Sequence, residues 1–205
     1  SGSISGNLDG ERGSAGIVGG VYMDGTSTLI RTLPLYLTNC TFSGSITGTV
    51  TSGSGNFGGI LGVCFQGPGI YLAGNTVSGS IQGITVAPGA TAASVGGVVG
   101  KILNYSLQET EPTLILSNND TSRAILQATD PDRLLYVGTL VGAQNDVNYT
   151  LTGPFSISTP VLLGEYGSIQ AAQLAGEIGD LILPANSSAA TFYILPGARM
   201  GRLEV

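Results

Sequence analysis

The chain has 205 residues, of which 33 are Gly, 7 are basic and 13 are acidic; there is no His and no Trp. Its net charge of −6 comes with no Lys/Arg cluster able to track a phosphate backbone, which argues against nucleic-acid binding and against anionic membrane surfaces. Without His, a Ser-His-Asp triad, a Cys-His pair and every His-ligated metal site are excluded, and interior Gly, at about 1 kcal/mol each against a helix, argues against long helices.

The chain opens on Ser1-Gly2-Ser3-Ile4-Ser5-Gly6, and a first glycine phrase follows at Val18-Gly19-Gly20-Val21-Tyr22. A second kind of phrase appears at Leu37-Thr38-Asn39-Cys40-Thr41-Phe42-Ser43-Gly44-Ser45-Ile46. The glycine phrase returns at Phe57-Gly58-Gly59-Ile60-Leu61-Gly62, and the second phrase at Leu72-Ala73-Gly74-Asn75-Thr76-Val77-Ser78-Gly79-Ser80-Ile81. Both recur again, at Val95-Gly96-Gly97-Val98-Val99-Gly100 and, degraded, from Leu116 to Ile125. Further copies are Val137-Gly138-Thr139-Leu140-Val141-Gly142, a divergent stretch from Leu151 to Ile157, and Leu174-Ala175-Gly176-Glu177-Ile178-Gly179. With Gly20, Gly59, Gly97, Thr139 and Gly176 taken as equivalent, the spacings are 39, 38, 42 and 37 residues. Self-similarity at such a period marks a stacked repeat.

Each repeat offers three short extended segments: the glycine phrase (Gly96 to Ile102), an apolar run (Ile70 to Ala73, Thr113 to Ser117), and the Ser-Gly-Ser-Ile phrase. Runs of four to seven residues rich in Val, Ile, Leu and Thr, bounded by Gly, Asn and Pro, read as strands. The expectation is an all-β chain, a single-domain parallel β-helix or β-solenoid over residues 1–205. It would have about five coils of roughly 38–40 residues with three strands each. Residues 14–180 hold the clearest repeats, and 181–205 form a C-terminal strand and tail. The polar stretch Leu107 to Pro112 and the segment Ala128 to Arg133 are expected to bulge out. Asn75 and Asn119 align with one another; they read either as a stacked ladder at a bend or as ordinary turn residues with left-handed φ.

The recurring Gly59-Ile60-Leu61-Gly62, Gly97-Val98-Val99-Gly100 and Thr139-Leu140-Val141-Gly142 resemble the GLUG repeat, in which Gly, Leu, an apolar residue and Gly follow one another. The resemblance spans residues 14 to 180 and departs from the motif at Thr139. It implies an extracellular repeat protein of the cell-surface, adhesin-like kind, and it implies no catalytic residues.

Five Asn-X-Ser/Thr triplets, at Asn39, Asn104, Asn119, Asn148 and Asn186, are candidate N-glycosylation sites, although a chain rich in Ser and Thr also yields them by composition. Asn39 and Asn119 lie two and three residues past aligned leucines and would face opposite ways on a regular strand, so some sites should be unoccupied. Cys40 and Cys64 form either one disulfide or two free thiols. The acidic pairs Asp9/Glu11, Glu109/Glu111, Asp130/Asp132 and Glu177/Asp180 were weighed as a polysaccharide-cleaving pair. Asp130-Pro131-Asp132-Arg133 was weighed as a calcium loop as well. This last segment sits in a Pro-containing turn, where Asp is a common structural residue, and no catalytic, metal or cofactor site is assigned. The eight Tyr fall at differing places in the repeat and read as half-buried packing.

No apolar run is long enough to cross a bilayer. The Ser-Gly-Ser start, without an initiator Met or signal peptide, reads as a processed or truncated chain. The functional expectation is a non-enzymatic extracellular structural protein that joins head to tail into a fibre or coat. The alternative is an adhesin module holding glycan or protein. No cofactor is expected, and the expected partners are further copies of the chain, with glycan as a second possibility.

Overall fold

The computed structural model describes residues 2–10, 12–21, 34–65, 69–103, 113–128, 134–145, 147–152, 161–162, 169–175, 177–178, 181–182 and 191–204. The described strands, in chain order, begin with β1 (Ser3–Asp9), β2 (Arg12–Ala15), β3 (Val18–Val21), β4 (Leu35–Thr38), β5 (Thr41–Phe42), β6 (Ser45–Gly58), β7 (Leu61–Phe65) and β8 (Gly69–Ala73). There follow β9 (Thr76–Val77), β10 (Ser80–Val86), β11 (Ala90–Gly96), β12 (Val99–Leu103), β13 (Thr113–Ser117), β14 (Ile125–Ala128), β15 (Leu134–Gly138) and β16 (Val141–Asn145). The last are β17 (Val147–Thr152), β18 (Val161–Leu162), β19 (Ile169–Ala175), β20 (Glu177–Ile178), β21 (Leu181–Ile182), β22 (Thr191–Ile194), β23 (Arg199–Met200) and β24 (Leu203–Glu204).

The fold is all-β, and every strand pairing among the described residues is parallel. A six-stranded sheet runs β22-β19-β17-β13-β8-β4, and a four-stranded one runs β16-β12-β7-β3. A seven-stranded sheet follows the order β14-β10-β6-β11-β15, with β1 and β2 also on β6. Smaller sheets are β18-β21-β24, β20-β23 and β5-β9.

The expected β-solenoid of about five coils with three strands each is therefore corrected. The seven-stranded sheet curls back on itself and comes close to a barrel, because the long β6 bends at Gly53, whose φ is +60°. The two halves of β6 then face each other: a Cβ on Gly48 would stand 3.1 Å from the Phe57 ring, and one on Gly55 would run into Val50. Only Gly allows walls this close.

The repeat length is not uniform either. The row Leu37–Leu72–Leu116–Leu151–Leu174–Ile194 has steps of 35, 44, 35, 23 and 20 residues. Between Leu72 and Leu116 the chain also runs through β9, β10, β11 and β12, whereas the described residues between Leu174 and Ile194 hold only β20 and β21. The glycine phrase is a corner and not a strand: β11 stops at Gly96, β12 starts at Val99, and Gly97-Val98 form the bend between them. Gly59 N donates to Gly97 O at 3.1 Å, so these two corners are direct neighbours. The expected bulges at Leu107 to Pro112, and at 129–133 of Ala128 to Arg133, lie outside the described residues.

Two phrases were matched out of register. Gly16 N donates to Gly59 O at 3.1 Å and Val18 pairs with Leu61, so the first copy of the corner is Gly16-Ile17-Val18-Gly19 and not the stretch at Gly20. Leu174 pairs with Leu151, so Leu174-Ala175 matches Leu72-Ala73 of the second phrase and is no copy of the glycine corner.

The core lies between the sheets. Ile46, Ile60, Leu61, Ile70, Leu72, Ile81, Ile84, Ile102 and Leu116 are fully buried around Phe57. Alternation sets which side faces in along Ile84-Thr85-Val86, and the register shift between Ile81 and Ile84, at Gly83 with φ +64°, keeps Ile81 on the same inward side.

Candidate functional site

The most constructed polar feature is a corner repeated three times. Asn39, Gly74 and Asn118 occupy left-handed backbone, with φ of 55°, 63° and 52°. Each is followed by the residue that enters the wall: Cys40, Asn75 and Asn119. Asn75 and Asn119 are each 1% exposed. Asn75 Oδ1 accepts from Cys40 N at 2.9 Å, and Asn75 Nδ2 donates to Leu37 O at 2.9 Å and to Asn119 Oδ1 at 2.8 Å. Asn119 Oδ1 also accepts from Asn75 N at 3.2 Å, and its Nδ2 donates to Leu72 O at 2.8 Å. The ladder and the left-handed turn are thus both present, one residue apart, and each Asn satisfies backbone groups that burial would orphan.

A second buried polar row lies on β6 and β11. Ser94 Oγ meets Asn56 Oδ1 at 2.8 Å, and Asn56 Nδ2 donates to Arg12 O at 2.9 Å. Its residue types gave no periodic sequence signal, since Asn56 pairs with Gly13 and Ser94 with Tyr136.

The ladder sets two of the candidate sequons in different surroundings. Asn39 stands exposed at its bend, whereas both ends of the Asn119 amide are spent inside the wall. Asn148 lies on β17, where only the backbone is described, and Asn104 and Asn186 lie outside the described residues. The two cysteines are free thiols. Cys64 is buried, which pushes its pKa up to about 12. Cys40 is half-buried, with its Sγ 3.5 Å from Thr38 O.

The acidic candidates do not converge among the described residues. Asp9 bonds Ser52, and Glu177 makes an exposed ion pair with Arg199 at 3.6 Å. Glu11, Glu109, Glu111, Asp130, Asp132 and Asp180 lie outside the described residues. Asp120, which was not singled out from sequence, is held below the usual carboxylate range by hydrogen bonds from the Ser122 hydroxyl and backbone N–H, with Arg123 adding to them. Among the described residues no three His, Cys, Asp or Glu side chains gather as metal ligands. No helix among them is long and apolar enough to cross a membrane.

Three of the eight tyrosines share a row, whereas Tyr136 pairs with Ser94 and Tyr149 with Leu114 in other rows. Tyr36 pairs with Tyr71, their rings stacked with centroids 4.6 Å apart at 14°, and Tyr193 ends the same row. The signal was the Tyr directly before each aligned Leu, at 36 and at 71.

The exposed apolar residues define the remaining feature. Ile194 ends the row whose interior members Leu72 and Leu116 are fully buried, yet Ile194 is 60% exposed. Ile4 pairs with the buried Ile46 and is 38% exposed; Ile17, beside β3 in the corner that meets Gly59-Ile60, is 43% exposed. Core rows therefore run out to edge strands at both ends of the sheets. No protein-family model matches the chain, and no curated protein and no solved structure matches it either.

Proposed function

We propose that this chain is a non-enzymatic extracellular structural protein that joins head to tail into a fibre or surface coat. The observation that carries this reading is the exposure of core-row residues at both ends: Ile4 and Ile17 on β1 and beside β3, Ile194 on β22. A parallel stack leaves two different, unpaired edges, and contact between unlike faces does not close, so it propagates as a fibre. The exposed Asn39 sequon and the GLUG-like corners support an extracellular setting. Electron microscopy and sedimentation of the purified chain over a concentration series test the reading. Fibres or end-on oligomers are the expected result, and a monomer throughout counts against it.

A second reading, a glycan-binding adhesin module, is favoured by the Tyr36–Tyr71 stack, with Tyr36 exposed on the outer face. Aromatic faces of this kind suit the apolar side of a sugar ring. Glycan-array binding that disappears in Tyr36→Ala would support it.

A further inference from the structure

The six-stranded sheet ends on β4 at one side and β22 at the other. Among the described residues β4 pairs only with β8, and β22 only with β19. The corner strands behave alike: among the described residues β5 pairs only with β9, and β23 only with β20. Because the sheet is parallel throughout, its two edges present complementary sets of backbone N–H and C=O groups.

We propose that β22 and β23 of one copy lie over β4 and β5 of a second copy, extending the sheet in parallel from molecule to molecule. This rests on the end-to-end reading above and names its junction. In that register Tyr193 follows Tyr36 and Ile194 follows Leu37, as Tyr71 and Leu72 do on the other side of β4. The outer row then stacks Tyr193 on the Tyr36–Tyr71 pair. The inner row covers Ile194, which otherwise exposes most of a core side chain to water.

The corner matches too. Phe42 lies five residues after Leu37, and Met200 six after Ile194; Gly197, with φ +83°, takes up the additional residue. Met200 then arrives over Phe42. There the fold has a cavity of about 320 Å³ lined by Gly2, Ile4, Gly16, Thr41, Phe42 and Gly44 among others. An unbranched, polarizable thioether suits an irregular gap of this kind. A second copy is the occupant because it supplies Tyr, Ile and Met in the order that the Tyr, Leu and Phe of the receiving edge require.

The test uses the full chain, with sedimentation read across a concentration series and circular dichroism confirming the fold of each variant. Tyr36→Lys alone and Tyr193→Glu alone are each expected to raise the assembly threshold by about tenfold or more, by placing a charge in an aromatic stack. The two substitutions in one chain are expected to restore assembly, since the new ammonium at 36 meets the new carboxylate at 193 of the next copy. Tyr71→Ala, internal to the sheet, is expected to leave the threshold nearly unchanged. If the parent assembles and neither edge variant alters it, or Tyr71→Ala weakens it equally, this junction is wrong while the end-to-end reading stands. A parent chain that stays monomeric overturns the end-to-end reading itself.

Discussion

Replacing Asn75 by Ala removes the middle rung of the ladder. Cys40 N loses its acceptor and Leu37 O loses its side-chain donor. Asn119 Oδ1 keeps only its 3.2 Å bond from Asn75 N. A buried group left unsatisfied costs about 1–3 kcal/mol, and Cys40 N and Leu37 O lie in partly buried surroundings that admit some water. The expected loss is therefore about 3 kcal/mol, or a fall in Tm of about 6–12 °C for a chain of this size. Urea unfolding followed by circular dichroism reads it directly.

Asn75→Asp sharpens the test. Its second oxygen would face Leu37 O and Asn119 Oδ1, so the folded state favours the protonated acid and raises the pKa above the unfolded value of about 3.9. A folded pKa above the unfolded one makes the variant most stable below about pH 4, with stability lost as pH rises through the folded value. Asn75→Ala within 1 kcal/mol of the parent, or Asn75→Asp with no gain on acidification, would refute the ladder as a stabilising element.

Gly100→Ala is expected to cost several kcal/mol, since its Cβ would sit 2.6 Å from Phe57 N and 2.8 Å from Phe57 C; Gly6→Ala, with nothing within 4 Å, should leave Tm unchanged, and equal Tm values for the two would sink the close-wall argument. In native protein at pH 8 a thiol reagent is expected to modify Cys40 and spare Cys64, because only the thiolate reacts and Cys64 titrates near 12; rapid labelling of both would contradict its burial. Expressed through a eukaryotic secretory pathway, the chain is expected to carry glycan at Asn39 and none at Asn119, as peptide mapping before and after enzymatic deglycosylation will show; a glycan on Asn119 is incompatible with its place in the wall.

Pairings between short, similar phrases were legible in the residues, while the shape of the walls was not. Leu37, Leu72 and Leu116 each precede a bend by two residues, and the structure pairs all three. Gly59 and Gly97 likewise meet, since only Gly admits the neighbouring carbonyl there. Gly-Gly at 19–20 imitates the doublets at 58–59 and 96–97, which favours Gly20 over Gly16, whereas the corner reads Gly-apolar-apolar-Gly at 16–19, 59–62 and 97–100. Leu174-Ala175-Gly176-Glu177-Ile178-Gly179 was assigned to the glycine corner because its residues fit either phrase. Only backbone pairing to Leu151 separates the two, and a local string carries no long-range register. The strand count failed for a similar reason: Gly96 to Gly100 is continuously small and apolar, so nothing in composition marks the bend at Gly97-Val98. Asn56 and Ser94 were missed because they meet each other and not a repeated partner.

In the proposed end-to-end assembly, one quantity would link stability to association: the apolar area left at the ends. Fully burying an Ile is worth about 1.5–3 kcal/mol, so covering the exposed fractions of Ile4, Ile17 and Ile194 yields roughly 3 kcal/mol in all. Tyr36 and Tyr193, each more than half exposed, bring the sum to about 5 kcal/mol. Association itself costs about 4–15 kcal/mol in lost freedom. Side-chain burial therefore offsets at most the low end of that cost, and backbone bonds between the edges of β4 and β22 would have to supply the rest in the proposed junction. Those bonds form only when the strands are in register, so the junction is weak in any other alignment. The proposed junction would therefore leave the chain dispersed when dilute and assembled where it is concentrated.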